Sequence, residues 1–234
     1  MIPILAQSQH SGLLSYFFLS NTAGQLIILA LGVFSAIAWT VMFSKFMELN
    51  NLQNLNLDFE SDLNDAPSLL DLARQVDFSD SVPYAALVGD ATQAYFRAVE
   101  LDSASLDREN AVSYSENALR RAVAQQSIFY EKKMVLLASI VTGAPFMGLL
   151  GTVWGVMDAF GAIALESSAS LQKLAPGVSG ALLTTVAGLL VAIPSVFGYN
   201  FLLAVTKKRV IDLENFASSV ADRIELEDTL SRDT

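Results

Sequence analysis

The chain has no cysteine and one histidine, His10. Without thiols there is no disulfide framework, no thiolate metal site and no cysteine nucleophile, and one imidazole cannot form a histidine cluster. No metal and no cofactor are therefore expected. Basic residues are also scarce: 14 Lys and Arg stand against 24 Asp and Glu, a formal charge of −10. With no basic stripe to meet a phosphate backbone, nucleic acid is excluded as a partner. Nor can a nucleophile, a base and an orienting group be assembled from the sequence, so no enzymatic activity is expected. The third scarcity is local. Residues 22–44, 134–157 and 174–206 contain no Asp, Glu, Lys or Arg.

What fills those stretches is apolar. Apolar residues make up 53% of the chain and mean hydropathy is positive, more than a soluble core requires. Each uncharged run exceeds the ~18 to 20 residues that cross a bilayer as a helix. The sequence thus reads as an all-α integral membrane protein whose transmembrane helices are 22–44, 134–165 and 174–206, the second extending past Met157 if Asp158 is accepted near its end. At 1.5 Å per residue the third run is roughly 50 Å long, so it should tilt or protrude.

Lysine and arginine give the orientation. None precedes the first span and only Lys173 separates the second from the third, whereas Lys45, Arg120, Arg121, Lys132, Lys133 and Lys207-Lys208-Arg209 flank the opposite ends. The N-terminus is therefore expected outside and the C-terminus in the cytoplasm. The remaining pieces are an outer segment 1–21, a cytoplasmic helical domain 45–133, an outer loop 166–173 and a cytoplasmic C-terminal helix 207–234. The first residues lack the basic n-region of a cleaved signal peptide. The run from Leu13 to Leu19 is too short to span and reads as a short amphipathic anchor in the outer interface.

In the cytoplasmic domain, Asp65-Ala66-Pro67 and Ser81-Val82-Pro83 read as helix starts, with proline in the first turn where its missing N–H is harmless. From about Asp107 a helical pattern continues through Ala118, Leu119, Ala122, Ile128 and Lys133 with no strong stop signal, so one long helix is expected to run into the second span. Beyond the third span, Val210, Leu213, Phe216, Val220 and Ile224 recur at helical spacing and predict an amphipathic extension.

Two motifs inside the apolar runs carry the functional signal. In the second span Gly148, Thr152 and Gly155 share a face, and Gly151 and Gly155 form a small-xxx-small pair. In the third, Gly177, Ala181, Thr184 or Thr185, Gly188, Ala192 and Ser195 form a similar stripe. Spacing alone leaves two uses open, close helix packing or a lined polar path, and a threonine hydroxyl can also simply bond the carbonyl one turn back. Pro145 and Pro194 mark candidate kinks. Asp158 is the sole acid inside an apolar run; it falls near the outer end, roughly 240° around the helix from Thr152, and reads as an interfacial carboxylate outside any path through Thr152. No acid sits at mid-membrane.

The runs from Gly148 to Met157, Ala175-Pro176-Gly177, Ala181 to Thr185, Gly188-Leu189, Ala192-Ile193-Pro194 and Tyr199-Asn200 resemble, in order, the MotA/TolQ/ExbB family of proton-channel subunits. Trp154 and the short outer N-terminus look more like TolQ than ExbB. The resemblance implies a bacterial inner-membrane stator subunit. Five copies would enclose the transmembrane helices of a dimeric single-span partner similar to TolR or ExbD, with a TolA- or TonB-like protein transmitting force to the envelope. Thr152 and Thr185 match the family's pore-facing threonines, while the proton-carrying aspartate belongs to the partner. One position departs from the pattern: where TolQ and ExbB usually carry glutamate in the third span, this chain has Gly180. A non-conducting scaffold around a partner helix is the competing expectation. A secondary transporter is weaker, since there is no visible repeat and no mid-membrane charge to bind cargo.

Overall fold

The computed structural model describes residues 16–18, 20–76, 78, 82–101, 109–164 and 171–232. Of the interfacial anchor expected over Leu13 to Leu19, residues 16–18 are described and helical and the rest lie outside the described residues, as do the start of the helix expected at Asp107 and most of the outer loop 166–173. The architecture is all-α, with helices α1 (Thr22–Asp65), α2 (Leu69–Gln75), α3 (Pro83–Leu101), α4 (Glu109–Glu131), α5 (Met134–Ala164) and α6 (Leu171–Arg232). Three stretches of helix, within α1, α4–α5 and α6, are long and apolar enough to cross a membrane. The chain divides into two compact units: residues 1–42 with 135–200, and residues 43–134 with 201–234.

In the first unit the buried stripe of α5 is Leu137, Ile140, Ala144, Gly148, Gly151 and Gly155, and that of α6 includes Ala181, Thr184, Gly188, Ala192 and Ser195. Spacings of three and four keep each stripe on one helix face. Large side chains point the other way: Leu149, Leu150, Val153, Met157, Leu190 and Phe197 are exposed. The helices stay α-helical through Pro145, Pro176 and Pro194. Asn21 starts α1, its side-chain oxygen accepting from the Gly24 N–H at 2.8 Å.

The second unit has a conventional core. Leu49, Leu69, Leu87, Val88, Leu213, Phe216, Val220 and Ile224 are buried, and the Tyr84 ring stacks on Phe216 with centroids 3.9 Å apart. Inside that core Asn56 donates to the Tyr130 hydroxyl at 2.9 Å and accepts from the Tyr84 N–H at 3.3 Å, so its amide is satisfied on both sides as burial demands. The expected α6 extension is present, and Leu213, Phe216, Val220 and Ile224 form its buried stripe.

Two local expectations are corrected. The helix expected to run unbroken into the second span ends at Glu131 and restarts at Met134. Lys133 adopts a φ of 71°, in the left-handed region, which ends a helix even without glycine. Its ammonium reaches Ser44 Oγ and Glu48 Oε2, both at 3.4 Å, and Glu48 also accepts from the buried Lys45 at 2.8 Å. Burial pushes the Glu48 carboxyl up, but Lys45 and then Lys133 outweigh it and hold it below the usual carboxylate range. Near Pro67 the helix start falls at Ser68, whose hydroxyl accepts from the Asp71 N–H at 3.1 Å; Asp65 closes α1 instead.

The joint between α1 and α2 is locked by α6. Arg223 donates to the carbonyls of Leu63 (2.7 Å) and Ala66 (2.6 Å), and Glu227 accepts from the N–H groups of Leu69 (2.7 Å) and Leu70 (2.9 Å) and from the Ser68 hydroxyl (2.9 Å). A cation thus meets the carbonyl end of one helix and an anion the amide end of the next, which suits both helix dipoles. Burial raises the Glu227 carboxyl, but the Leu70 and Leu69 amides, Arg223 and Ser68 together hold it below the usual range.

Candidate functional site

The two motifs found in sequence face each other in the first unit. α5 and α6 run antiparallel, and their small residues meet as pairs. A Cβ added to Gly155 would lie 2.6 Å from Ala181 Cβ, one on Gly148 would lie 2.8 Å from the Thr184 carbonyl oxygen, and one on Gly188 would lie 2.7 Å from the Ala144 carbonyl oxygen. One on Gly151 would fall 2.6 Å from Thr184 Cβ. Gly177 continues the series against Ala159, at 3.1 Å. Backbones this close need glycine on at least one side, the packing that apolar solvent favours because it gives no hydrophobic drive of its own. Gly148, Gly151, Gly155, Gly177, Ala181 and Gly188, read from sequence as packing residues, all lie on this seam. Gly32, Gly143 and Gly161 have open space where a Cβ would go.

Thr152 and Thr185 meet at the edge of the seam, their hydroxyls 3.1 Å apart and only partly buried. Thr152 Oγ1 also lies 2.8 Å from the Leu149 carbonyl, and Thr185 Oγ1 3.2 Å from the Gly148 carbonyl across the seam; with one proton each, one hydroxyl keeps its carbonyl while the other donates across the pair. A hydroxyl both donates and accepts, so the pair can pass a hydrogen bond from one helix to the other without a charged group. Thr184, which spacing could not tell from Thr185, is fully buried, and its hydroxyl lies 2.9 Å from the Gly148 carbonyl and 2.7 Å from the Ala181 carbonyl. The two neighbours on α6 therefore have different surroundings: Thr184 is inside the helix contact and Thr185 opens onto its edge.

Gly180, the departure from the family pattern, is buried, so the third span contributes no carboxylate there. Asp158 is exposed and accepts from the Asn21 amide at 3.2 Å. It is thus tied to the start of α1, apart from the threonine pair. Sequence reasoning did not single out Asn21, although Asn directly before Thr-Ala-Gly at the head of an apolar run is an N-cap signal. Among the described residues no group of three or more His, Asp or Glu side chains converges as a metal site would require.

Residues 89–215 match the model of the MotA/TolQ/ExbB proton channel family. The chain is 36% identical over 162 residues to the biopolymer transport protein ExbB of Xanthomonas campestris pv. campestris, a match that covers 68% of this chain and 64% of that one. It is 31% identical over 191 residues to ExbB of Neisseria gonorrhoeae, covering 81% and 86%, and 34% identical over 176 residues to ExbB of Salmonella typhimurium, covering 74% and 70%. The chain thus spans under two thirds of the Xanthomonas relative's length. These relatives bear the ExbB name, and the leaning toward TolQ drawn from Trp154 gains no support from them.

Proposed function

The chain belongs to the MotA/TolQ/ExbB proton channel family, and on that premise we propose that it is the stator subunit of an ion-driven motor in the bacterial inner membrane. Spans two and three form one wall of an ion path, and Thr152 and Thr185 line it. The observation that carries this reading is their 3.1 Å hydroxyl pair, partly exposed beside a seam otherwise closed by glycine.

A path walled by hydroxyls and carbonyls, with no carboxylate of its own, can hold water or hand on a hydrogen bond, but it cannot take up and release a proton near neutral pH. The titrating group must come from elsewhere. A single-span partner similar to TolR or ExbD, present as a dimer inside a ring of five copies of this chain, supplies that acid. A TolA- or TonB-like protein would carry the resulting motion to the envelope. Gly180 makes the dependence on the partner stronger than in relatives with glutamate at that position. Orientation follows the basic flanks, N-terminus periplasmic and C-terminus cytoplasmic. The role is transport and mechanical coupling, with no catalysed covalent step.

Proton flux into liposomes containing the chain and its partner tests the reading. Thr152→Val and Thr185→Val should each reduce partner-dependent flux at least tenfold, by order of magnitude for a lost transition-path hydrogen bond, while ring assembly persists. Undiminished flux in both variants would sink it. The competing reading, a scaffold that uses the seam only for assembly, expects no flux that depends on the partner's acid.

A further inference from the structure

Thr184 has no role in the ion path, yet it is the most enclosed polar side chain of the seam. It is buried to 0% exposure, and its methyl and hydroxyl fill the space left by the missing side chain of Gly151, whose Cβ would lie 2.6 Å from Thr184 Cβ and 2.8 Å from its Cγ2. A third helix closes the pocket: a Cβ on Gly24 of α1 would lie 3.5 Å from the same Cγ2. Threonine alternates between two χ1 rotamers in a helix, and the crowding around Thr184 Cβ and Cγ2 sets where its hydroxyl oxygen sits.

Three hydroxyls approach the Gly148 carbonyl, from Thr184 at 2.9 Å, Thr185 at 3.2 Å and Thr152 at 3.4 Å. Thr152 has a shorter bond to Leu149, at 2.8 Å, and Thr185 has Thr152 itself as an alternative. Thr184 makes the shortest of the three approaches. A threonine in a membrane helix commonly bonds only its own preceding turn; this hydroxyl lies between its own Ala181 carbonyl, at 2.7 Å, and the carbonyl of the opposite helix.

We propose that Thr184 is a positioning residue: its hydroxyl, shared between the Ala181 carbonyl of its own helix at 2.7 Å and the Gly148 carbonyl across the seam at 2.9 Å, fixes the rotation of α6 about its own axis and so holds the Thr185 hydroxyl against that of Thr152. Thr185 follows Thr184 by about 100° of helix rotation, so a small turn of α6 that loosens the one carries the other off its partner. The functional sense of this placement rests on the ion-path reading of Thr152 and Thr185; the placement itself does not.

The absence of cysteine provides a direct test. In the full chain in bilayers, Thr152→Cys with Thr185→Cys introduces the only two thiols, and their oxidative crosslinking rate reports how well the two positions are held together. Thr184→Val keeps the volume and removes the hydroxyl. Crosslinking should slow about three- to tenfold, the worth of one interhelical hydrogen bond in a membrane, and Thr184→Ser should restore the native rate. Native-rate crosslinking in Thr184→Val overturns the proposal. Should that variant fail to fold, Thr184→Ala against Thr184→Ser makes the same comparison, and equal rates in those two overturn it. If crosslinking follows the hydroxyl while Thr152→Val and Thr185→Val conduct normally, the ion-path reading fails and the assignment of Thr184 stands.

Discussion

The two units of this chain are packed in opposite senses. Where 144–159 meets 177–192, the close contacts are made by glycine, alanine and threonine, and Leu149, Leu150, Leu190, Trp154 and Met157 face outward. In the unit of 43–134 and 201–234 the large side chains Tyr130, Leu87, Leu213 and Ile224 are inside, and charges such as Arg120 and Glu116 are out. The difference reflects two solvents. In water a core gains by hiding large apolar surface, roughly 25 cal/mol per Å². In lipid that gain vanishes and closeness of backbones, with hydrogen bonds between helices, decides the contact. One chain therefore closes its α5–α6 seam with glycine in one half and fills its core mainly with leucine and aromatic side chains in the other.

Four substitutions test that contrast, taken from the largest effect down. Gly151→Leu should be the most damaging, because the new side chain would need the volume held by Thr184. A loss on the order of 3 kcal/mol or outright failure of the helix pair is expected, read as lost assembly in detergent, and a stable variant would break the comparison. Arg223→Ala in the second unit leaves the Leu63 and Ala66 carbonyls and Glu227 without their cation. It should cost about 2 to 3 kcal/mol, read as a lowered midpoint of thermal unfolding.

Glu227 adds a pH signature to the same joint. Its folded carboxyl lies below its ordinary 4.5, so its contribution is complete above that value and is lost as pH falls through the depressed folded one. Unfolding midpoints of the native chain and Glu227→Gln, taken downward from pH 5, should therefore converge in acid; curves that stay parallel would show that the charge is not what holds the joint. Gly161→Ala should have the smallest effect, within about 0.5 kcal/mol, because nothing lies within 4 Å of the added Cβ. An effect comparable to that at Gly151 would mean that composition, not the seam, governs this helix.

Much of the first unit was legible in sequence because its signals are local. Charges marked the apolar runs, and glycine at three- and four-residue spacing marked the faces. What periodicity could not do was separate Thr184 from Thr185: adjacent residues fall on the two margins of one stripe, and only the position of Gly151 on the other helix assigns the inside to Thr184. In the second unit the burial of Leu213, Phe216, Val220 and Ile224 was legible for the same reason. The turn at Lys132-Lys133 was not, because a lysine in a left-handed conformation leaves no glycine or proline to announce it. Nor was the lock at Ser68, where a helix is capped by Glu227, a residue 158 positions away in sequence from Leu69.

That separation also sets an order of events. Arg223 bonds carbonyls 160 and 157 residues earlier, and at ribosomal rates of about 5 to 20 residues per second it emerges roughly ten to thirty seconds after them. During that interval the exposed carbonyl end of α1 and the amide end of α2 have only water as partner. The bend at 63–70 therefore cannot close until the end of α6 is made, and a chain stalled before Arg223 should be cut there by proteases that spare the finished protein.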